Sequence, residues 1–273
     1  MTNHTSTRTR FRELHQSGTF VIPNPWDVAS ARILAHLGFA ALATTSSGFA
    51  ATLGREDQHV TRDELVAHVT ALCAAVDIPV NVDAERCYAT DNAGIAETVE
   101  LLADAGAAGI SIEDYNPVTA GIDPIDVAAS RVAAAAAACD RHGIMLTGRA
   151  ENHLYGIGDL DDTITRLRAY RDAGASVLYA PGLIDVAQVA RVVREVGAPI
   201  NVLGMRRAPT VPELAAVGVR RISTGGSLAW AAYGALANAA RELQTDGTFT
   251  YLDHVLPRDV RSAAFAPRPS KST

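Results

Sequence analysis

Residues 78–88 read IPVNVDAERCY: an apolar, β-branched run ends in two carboxylates, Asp83 and Glu85, with Arg86 and Cys87 close behind. Residues two apart in an extended chain point to one side, so the two acids can converge on one point. Converging carboxylates suit a hard cation such as Mg²⁺, which takes oxygen ligands and keeps several waters. A solvated turn leading into the next helix explains the same letters. Glu113 closes the apolar run 109–112 in the same way, and Asp57 is a fourth acid, set in a long polar loop where ordinary surface charge is the alternative reading. Gathered carboxylates repel one another unless a cation or a proton intervenes.

Polar partners occupy similar positions. Arg149 ends the run 144–148, and its planar guanidinium suits bidentate recognition of a substrate carboxylate or a structural pairing with Glu113 or Glu151. Thr45, Ser46, Ser47 and Gly48 follow another apolar run and offer hydroxyls and N–H groups to an oxyanion, or form a plain Ser/Thr turn. Asn201 is an amide within an apolar run; lining the mouth of a site would supply the partners it needs if buried. Gly225 and Gly226 precede a helix and suit either a phosphate or tight packing. Cys73, Cys87 and Cys139 show no CxxC spacing; the first and last read as small core residues, and Cys87 as a packed thiol or, beside Arg86, a thiolate. There is no HExxH, P-loop or GxSxG pattern, and lysine is almost absent, which argues against an imine mechanism.

The elements that must position these residues alternate regularly. Strands are expected at residues 19–22, 40–44, 78–83, 109–112, 144–147, 176–179, 199–203 and 220–223, each followed by a helical pattern. Asp27 can cap the first of these helices, and Thr61 with Glu64 forms a capping box for the second. Residues 45–60 read as a long loop and residues 1–10 as disordered, ahead of a short helix to residue 16. Eight strand-then-helix units make a closed (β/α)₈ TIM barrel the economical α/β architecture, although a doubly wound open sheet absorbs the same alternation. In a barrel, every residue just after a strand gathers on one face. The expected organisation is an N-terminal extension over 1–18, a barrel over 19–244 and a tail over 245–273.

Composition narrows the classes. At 273 residues the chain fits one such barrel, and with 48% hydrophobic but only 5% aromatic residues its core must be built from Ala, Val, Leu and Ile. A net charge of −6 argues against a nucleic-acid footprint or a basic membrane surface. No apolar run approaches the roughly 18 residues of a membrane span, and the polar start lacks a signal peptide's apolar region, so a cytoplasmic protein is expected.

The segments PNPWDVASARILAHLGFAALATTSSGF, VNVDAERCYA, GAAGISIED, LTGRAE, VLYAPG and PINVL, in that order, resemble the isocitrate lyase and phosphoenolpyruvate mutase superfamily over roughly residues 19–240. The resemblance implies a (β/α)₈ barrel with its last helix exchanged between subunits, assembly as a homodimer or homotetramer, and Mg²⁺ (or Mn²⁺) chemistry on a 2-oxo acid through a metal-bound enolate. It implies Asp83, Glu85 and Glu113 as the metal shell, with Asp57 holding metal waters. Ser46, Ser47 and Gly48 become the loop that holds the substrate carboxylate, Arg149 the substrate arginine, Asn201 a strand-borne amide and Trp26 a pocket wall. Ser46, Arg149 and Asn201 are thus the catalytic candidates, and Arg86 stands where it can reach a second substrate carboxylate or crowd the pocket. The stretch 115–123 is short and lacks the cysteine and lysine that mark better-known members, leaving Asn116 as a polar stand-in. The expected activity is Mg²⁺-dependent C–C cleavage of a small 2-oxo or 2-hydroxy dicarboxylic acid, like an oxaloacetate decarboxylase or a methylisocitrate lyase. Alternatives are P–C bond chemistry on phosphonopyruvate and a non-catalytic metabolite-binding barrel.

Overall fold

The computed structural model describes residues 3–267. Its strands are β1 (Phe20–Ile22), β2 (Leu42–Ala43), β3 (Val80–Asp83), β4 (Gly109–Glu113), the short hairpin pair β5 (Tyr115–Asn116) and β6 (Gly121–Ile122), then β7 (Met145–Arg149), β8 (Val177–Tyr179), β9 (Ile200–Leu203) and β10 (Arg221–Ser223). Apart from the hairpin, eight strands pair in parallel in the order β1-β10-β9-β8-β7-β4-β3-β2. The seam between the two end strands is drawn together by Ala43 N–H donating to Pro23 O (3.1 Å) and by Asn24 Nδ2 donating to Thr44 O (2.7 Å). The sheet is therefore a nearly closed (β/α)₈ barrel, and the open-sheet alternative falls away.

The helices are α1 (Asn3–Leu14), α2 (Val28–His36), α3 (Ser46–Thr52), α4 (Arg62–Ala75), α5 (Asn92–Asp104), α6 (Ile125–His142), α7 (Leu160–Asp172), α8 (Val186–Val196), α9 (Val211–Ala216), α10 (Ser227–Thr245) and α11 (Arg258–Ala264). Asp27 caps α2 with Ser30 closing a capping box, and Thr61 with Glu64 caps α4, as expected. The expected loop over 45–60 is corrected: Thr45 caps the seven-residue helix α3 within it, accepting from Gly48 N–H.

Alternation along each strand divides the core in two. Ile110, Ile112, Leu146, Val202 and Ile222 face outward into the main cluster beneath the helices. Their strand neighbours Asn81, Ser111, Asn201, Arg221 and Ser223 line the barrel interior instead. Toward its N-terminal end the interior becomes apolar, where Phe11, Ala41, Met145 and Val177 pack together with Ile22. Phe11, fully buried, comes from α1. The expectation of disorder before residue 10 is thus corrected from Asn3 onward, while residues 1–2 lie outside the described residues. Arg8 fastens α1 by donating to Ala107 O (3.1 Å) and His142 O (2.9 Å). Gly109 admits the Phe11 ring, because a Cβ there would stand 2.5 Å from Phe11 Cε1.

The segment after 245 is more than a tail: a 3₁₀ turn (Thr250–His254) leads to α11, and Arg32 of α2 stacks over Phe265 (5.9 Å). Along α10 only Ala229 is buried, and Trp230, Leu236 and Leu243 are exposed. Among the described residues no helix is long and apolar enough to cross a membrane.

Candidate active site

One hydrogen-bonded row of the barrel runs Glu113, Arg149, Tyr179, Asn201, Arg221, strand beside strand. Asp83 pairs with Ser111 in the adjoining strands. The acids thus meet at the C-terminal mouth. Asp83 is oriented by its own backbone N–H donating to Thr44 Oγ1 (2.8 Å), and its Oδ2 accepts from Ser46 N–H (3.3 Å). Glu113 Oε1 accepts from Gln58 Nε2 (3.0 Å), which ties the loop after α3 to the cluster. Asp57 stands at the exposed rim beside Ser46 and Asp83.

Glu85 is presented by an unusual turn. Glu85, Cys87 and Tyr88 all have positive φ (48°, 60° and 51°) without being glycine, a backbone choice costing on the order of 1–3 kcal/mol each. The turn persists because it is stapled from outside. Arg131 of α6 donates to Arg86 O (2.7 Å) and Ala89 O (2.8 Å), Thr98 Oγ1 donates to Cys87 O (2.9 Å), and Cys87 N–H donates to Ala84 O (2.7 Å). The Cys87 thiol is fully buried and pushed up to about 12 by that burial, which fits the packed-thiol reading.

Electrostatics at the mouth are dominated by acid. Burial, and then the charge of Asp83, push the Glu85 carboxyl up to about 8, and Glu85 Oε1 is buried with no hydrogen-bond partner. Burial also lifts Glu113 well above the ordinary range, outweighing the pull of Arg149. Arg149 is the cation at their centre. Its Nη1 lies 3.3 Å from Glu113 Oε2 and 3.6 Å from Asp83 Oδ2, and its Nε donates to Glu151. Burial alone would weaken its protonation, but the charges of Glu151 and Glu113 hold it well above its usual value. The guanidinium also sits over the Tyr179 ring (5.1 Å). Among the described residues, no three His, Cys, Asp or Glu side chains are gathered closely enough to hold a metal ion as they stand.

The other candidates divide. Ser46, Ser47 and Gly48 form the first turn of α3, so part of their polarity is used internally: Gly48 N–H donates to Thr45 Oγ1 (3.3 Å) and Ser47 Oγ lies 3.3 Å from Thr45 Oγ1. Gly48 is required sterically, since a Cβ would stand 2.6 Å from Thr45 Cγ2 and 3.1 Å from Trp26 Cβ. Trp26 lines an apolar groove with Ile33, Leu34 and Leu228, apart from the central cavity. Asn201 does line that cavity, donating to Ser223 Oγ and accepting from Arg221 Nε, each at 2.9 Å. Arg86 is turned away from it, donating through Nε to Asp123 Oδ2 (2.8 Å). Asn116 binds the same carboxylate (3.1 Å), so both residues hold the hairpin rather than the pocket. Gly225 N–H and Thr224 N–H donate to Asn24 Oδ1 (3.0 and 2.9 Å), which engages the donors a phosphate would need.

Several residues escaped the sequence reading. Asp114 accepts from Tyr170 Oη (2.6 Å), Glu151 N–H (2.7 Å) and Arg166 Nη1 (3.2 Å), fixing the ends of β4 and β7 relative to each other. Its place next to Glu113 was the available signal. Tyr115 of the hairpin stacks on Tyr155 (4.6 Å, 4°), and the charges of Glu151 and Glu113 reach Tyr155. Beneath the acids lies a cavity of about 40 Å³, lined by Asp83, Arg149, Tyr179, Asn201, Arg221 and Ser223 among others.

Comparison with known proteins agrees with this fold. The family model described as phosphoenolpyruvate phosphomutase matches residues 11–244. A solved structure from Burkholderia cenocepacia J2315, described as a lyase/mutase, shares 46% identity with 97% of each chain covered and a TM-score of 0.93. An oxaloacetate acetylhydrolase solved with its product oxalate is 26% identical, with a TM-score of 0.85 over 95% of this chain and 94% of that one. The oxaloacetate decarboxylase of Paraburkholderia xenovorans is 29% identical, with 84% of this chain and 76% of the relative covered.

Proposed function

Because this chain belongs to the phosphoenolpyruvate phosphomutase family, within the isocitrate lyase and phosphoenolpyruvate mutase superfamily of lyases and mutases, we propose that it is a divalent-metal-dependent lyase. It cleaves a C–C bond next to the carbonyl or hydroxyl carbon of a small 2-oxo or 2-hydroxy dicarboxylic acid. The observation that carries this reading is the buried Glu85 Oε1, an acceptor without a donor beside Asp83 in a cluster of carboxylates. Such an atom calls for a cation or a proton.

The donors fit a hard cation. Asp83, Glu85 and Glu113 would hold Mg²⁺ or Mn²⁺, with Asp57 reaching it through water. Bound there, the ion would stabilise the negative charge that develops on the substrate's oxygens. The protein's own part is recognition and shielding. Arg149, freed from its carboxylates, binds the substrate carboxylate in bidentate fashion. Ser46 and the first turn of α3 position its oxygen atoms, Asn201 fixes the inner wall, and the Tyr115–Tyr155 stack stands beside the acids and limits access of water.

The exposed apolar residues Trp230, Leu236 and Leu243 of α10 support assembly as a homo-oligomer through that helix, with light scattering in solution as its check. The family match also favours a second reading, P–C cleavage of phosphonopyruvate, for which phosphate release is the readout.

The deciding experiment is calorimetric titration of oxalate into metal-free protein with and without Mg²⁺. The reading expects binding that needs the metal and disappears in Asp83→Ala. Metal-independent binding in both proteins would sink it and favour a metabolite-binding barrel.

A further inference from the structure

Arg221 is 3% exposed in the barrel interior and forms no ion pair with an acidic group among the described residues. Its Nε donates to Asn201 Oδ1 (2.9 Å), its Nη2 to Thr147 Oγ1 (2.9 Å), and its Nη1 faces His15 Nε2 at 3.5 Å. All three partners are uncharged. His15, pushed down to about 3 by burial and by Arg221, stays neutral across the physiological range. A guanidinium carries five N–H donors, so these contacts leave two without an acceptor. Buried charges are costly unless paired. The acids of the mouth cannot serve, since three of them already surround Arg149.

A further observation points to a ligand rather than to architecture. Arg221 lines the same cavity as Arg149 and Asp83, so the space beneath the acids leads to it. Thr147, which Arg221 contacts, precedes Arg149 by two residues on β7. The two cations therefore stand about one inward layer apart, roughly 6.6 Å along a strand.

Resting on the lyase reading above, we propose that Arg221 is the anion-binding floor of the substrate pocket, receiving the distal carboxylate of a four-carbon or branched 2-hydroxy dicarboxylate whose 2-hydroxy acid end lies at Arg149. A carboxylate held on Arg221 is carried away intact in the product. The bond that breaks then joins the two carboxyl-bearing carbons: its electron pair passes to C3, which takes up the proton surrendered by the C2 hydroxyl. The products are a 2-oxo acid and a simple carboxylate, not CO₂.

The test compares lactate with malate, which share the 2-hydroxy acid end and differ by the distal carboxylate. Both are titrated calorimetrically into wild type, Arg221→Met and Arg221→Lys, with Mg²⁺ and, separately, without it. Wild type should prefer malate by at least about tenfold. Arg221→Met should lose that preference with lactate unchanged, Arg221→Lys should restore part of it, and the Met variant should melt no lower than wild type, because an unpaired buried charge has been removed. Equal weakening of both ligands, an unchanged malate preference, or a Met variant that fails to fold overturns the proposal and assigns Arg221 to the architecture of the barrel. The outcome is separable from the lyase reading. Loss of metal dependence for oxalate leaves the malate preference readable in metal-free protein, and loss of the malate preference leaves the oxalate result standing.

Discussion

The two ends of the barrel interior are built on opposite electrostatic plans. At the mouth, Asp83, Glu85, Glu113 and Glu151 crowd one cation, Arg149, and the surplus is negative. At the floor, one cation, Arg221, lies among neutral partners above an apolar plug, and the surplus is positive. Neither end is balanced by itself. A cavity joins them, and a ligand set made of a divalent cation and a dianion would neutralise both. The difference shows where the fold gives up stability for function: a core tuned only for packing would place branched apolar residues where Asn81, Thr147, Asn201 and Arg221 stand.

The sharpest way to break the comparison is to remove the cation from the crowded end. Arg149→Met should lower turnover by about 10²–10³-fold, as expected for a lost charged contact to the reacting carboxylate. It should also raise Mg²⁺ affinity by about tenfold, because Arg149 and the metal compete for the same carboxylates. Kinetics and calorimetry on one preparation read both effects. If Mg²⁺ affinity falls instead, the guanidinium organises the acids and does not compete for them.

How much of this could be read from sequence follows the same division. The mouth was legible, because apolar runs ending in Asp83, Glu113 and Arg149 follow the period of a strand and a barrel gathers strand ends. The turn carrying Glu85 was not, since positive φ at three non-glycine residues is imposed by Arg131 and Thr98, far away in sequence. For the same reason Arg86 was placed in the pocket when it holds Asp123. The floor was missed although a signal existed. With Ile222 facing outward, alternation puts Arg221 and Ser223 inside, but a charged residue at the foot of a strand reads as surface until α1 is known to close that end. The first turns of α1 were hidden as well, since the expected helix to residue 16 began only after residue 10 and only Arg8 and Phe11 in a polar stretch mark its docking.

The floor makes its own prediction about pH. His15 Nδ1 lies 2.8 Å from Phe11 O, a pure acceptor, so this nitrogen carries the proton and Nε2 faces Arg221. Rings of Phe11 and Phe20 pack edge-on against it, and the charges it meets, Arg221 and Arg220, are both positive. Its folded pKa of about 3 lies below the unfolded value of 6.5. Between those values the unfolded chain binds the extra proton, so the stability contributed by neutral His15 is present above pH 6.5 and is lost as pH falls toward 3. Lowering pH from 7.5 to 5 should cost about 2 kcal/mol through this residue. Urea unfolding of wild type and His15→Asn at the two pH values isolates the term. A variant with the same pH slope as wild type would show that His15 is protonated in the folded state, and the floor would carry more charge than Arg221 alone.

The smallest effect concerns the mouth without its cation. Glu85 combines a strained backbone, an unpartnered oxygen and a repelling neighbour in Asp83. Substitution to Gln keeps the shape and removes the repulsion, so metal-free Glu85→Gln should be more stable than wild type by about 1–2 kcal/mol. Added Mg²⁺ should reverse the order, because only the carboxylate rewards the cation and binding to the folded state raises its apparent stability. Thermal melts with EDTA and with Mg²⁺ read both signs. Were wild type the more stable protein in EDTA, the crowding of acids would already be relieved by Arg149 alone, and the mouth would be balanced where the floor is not.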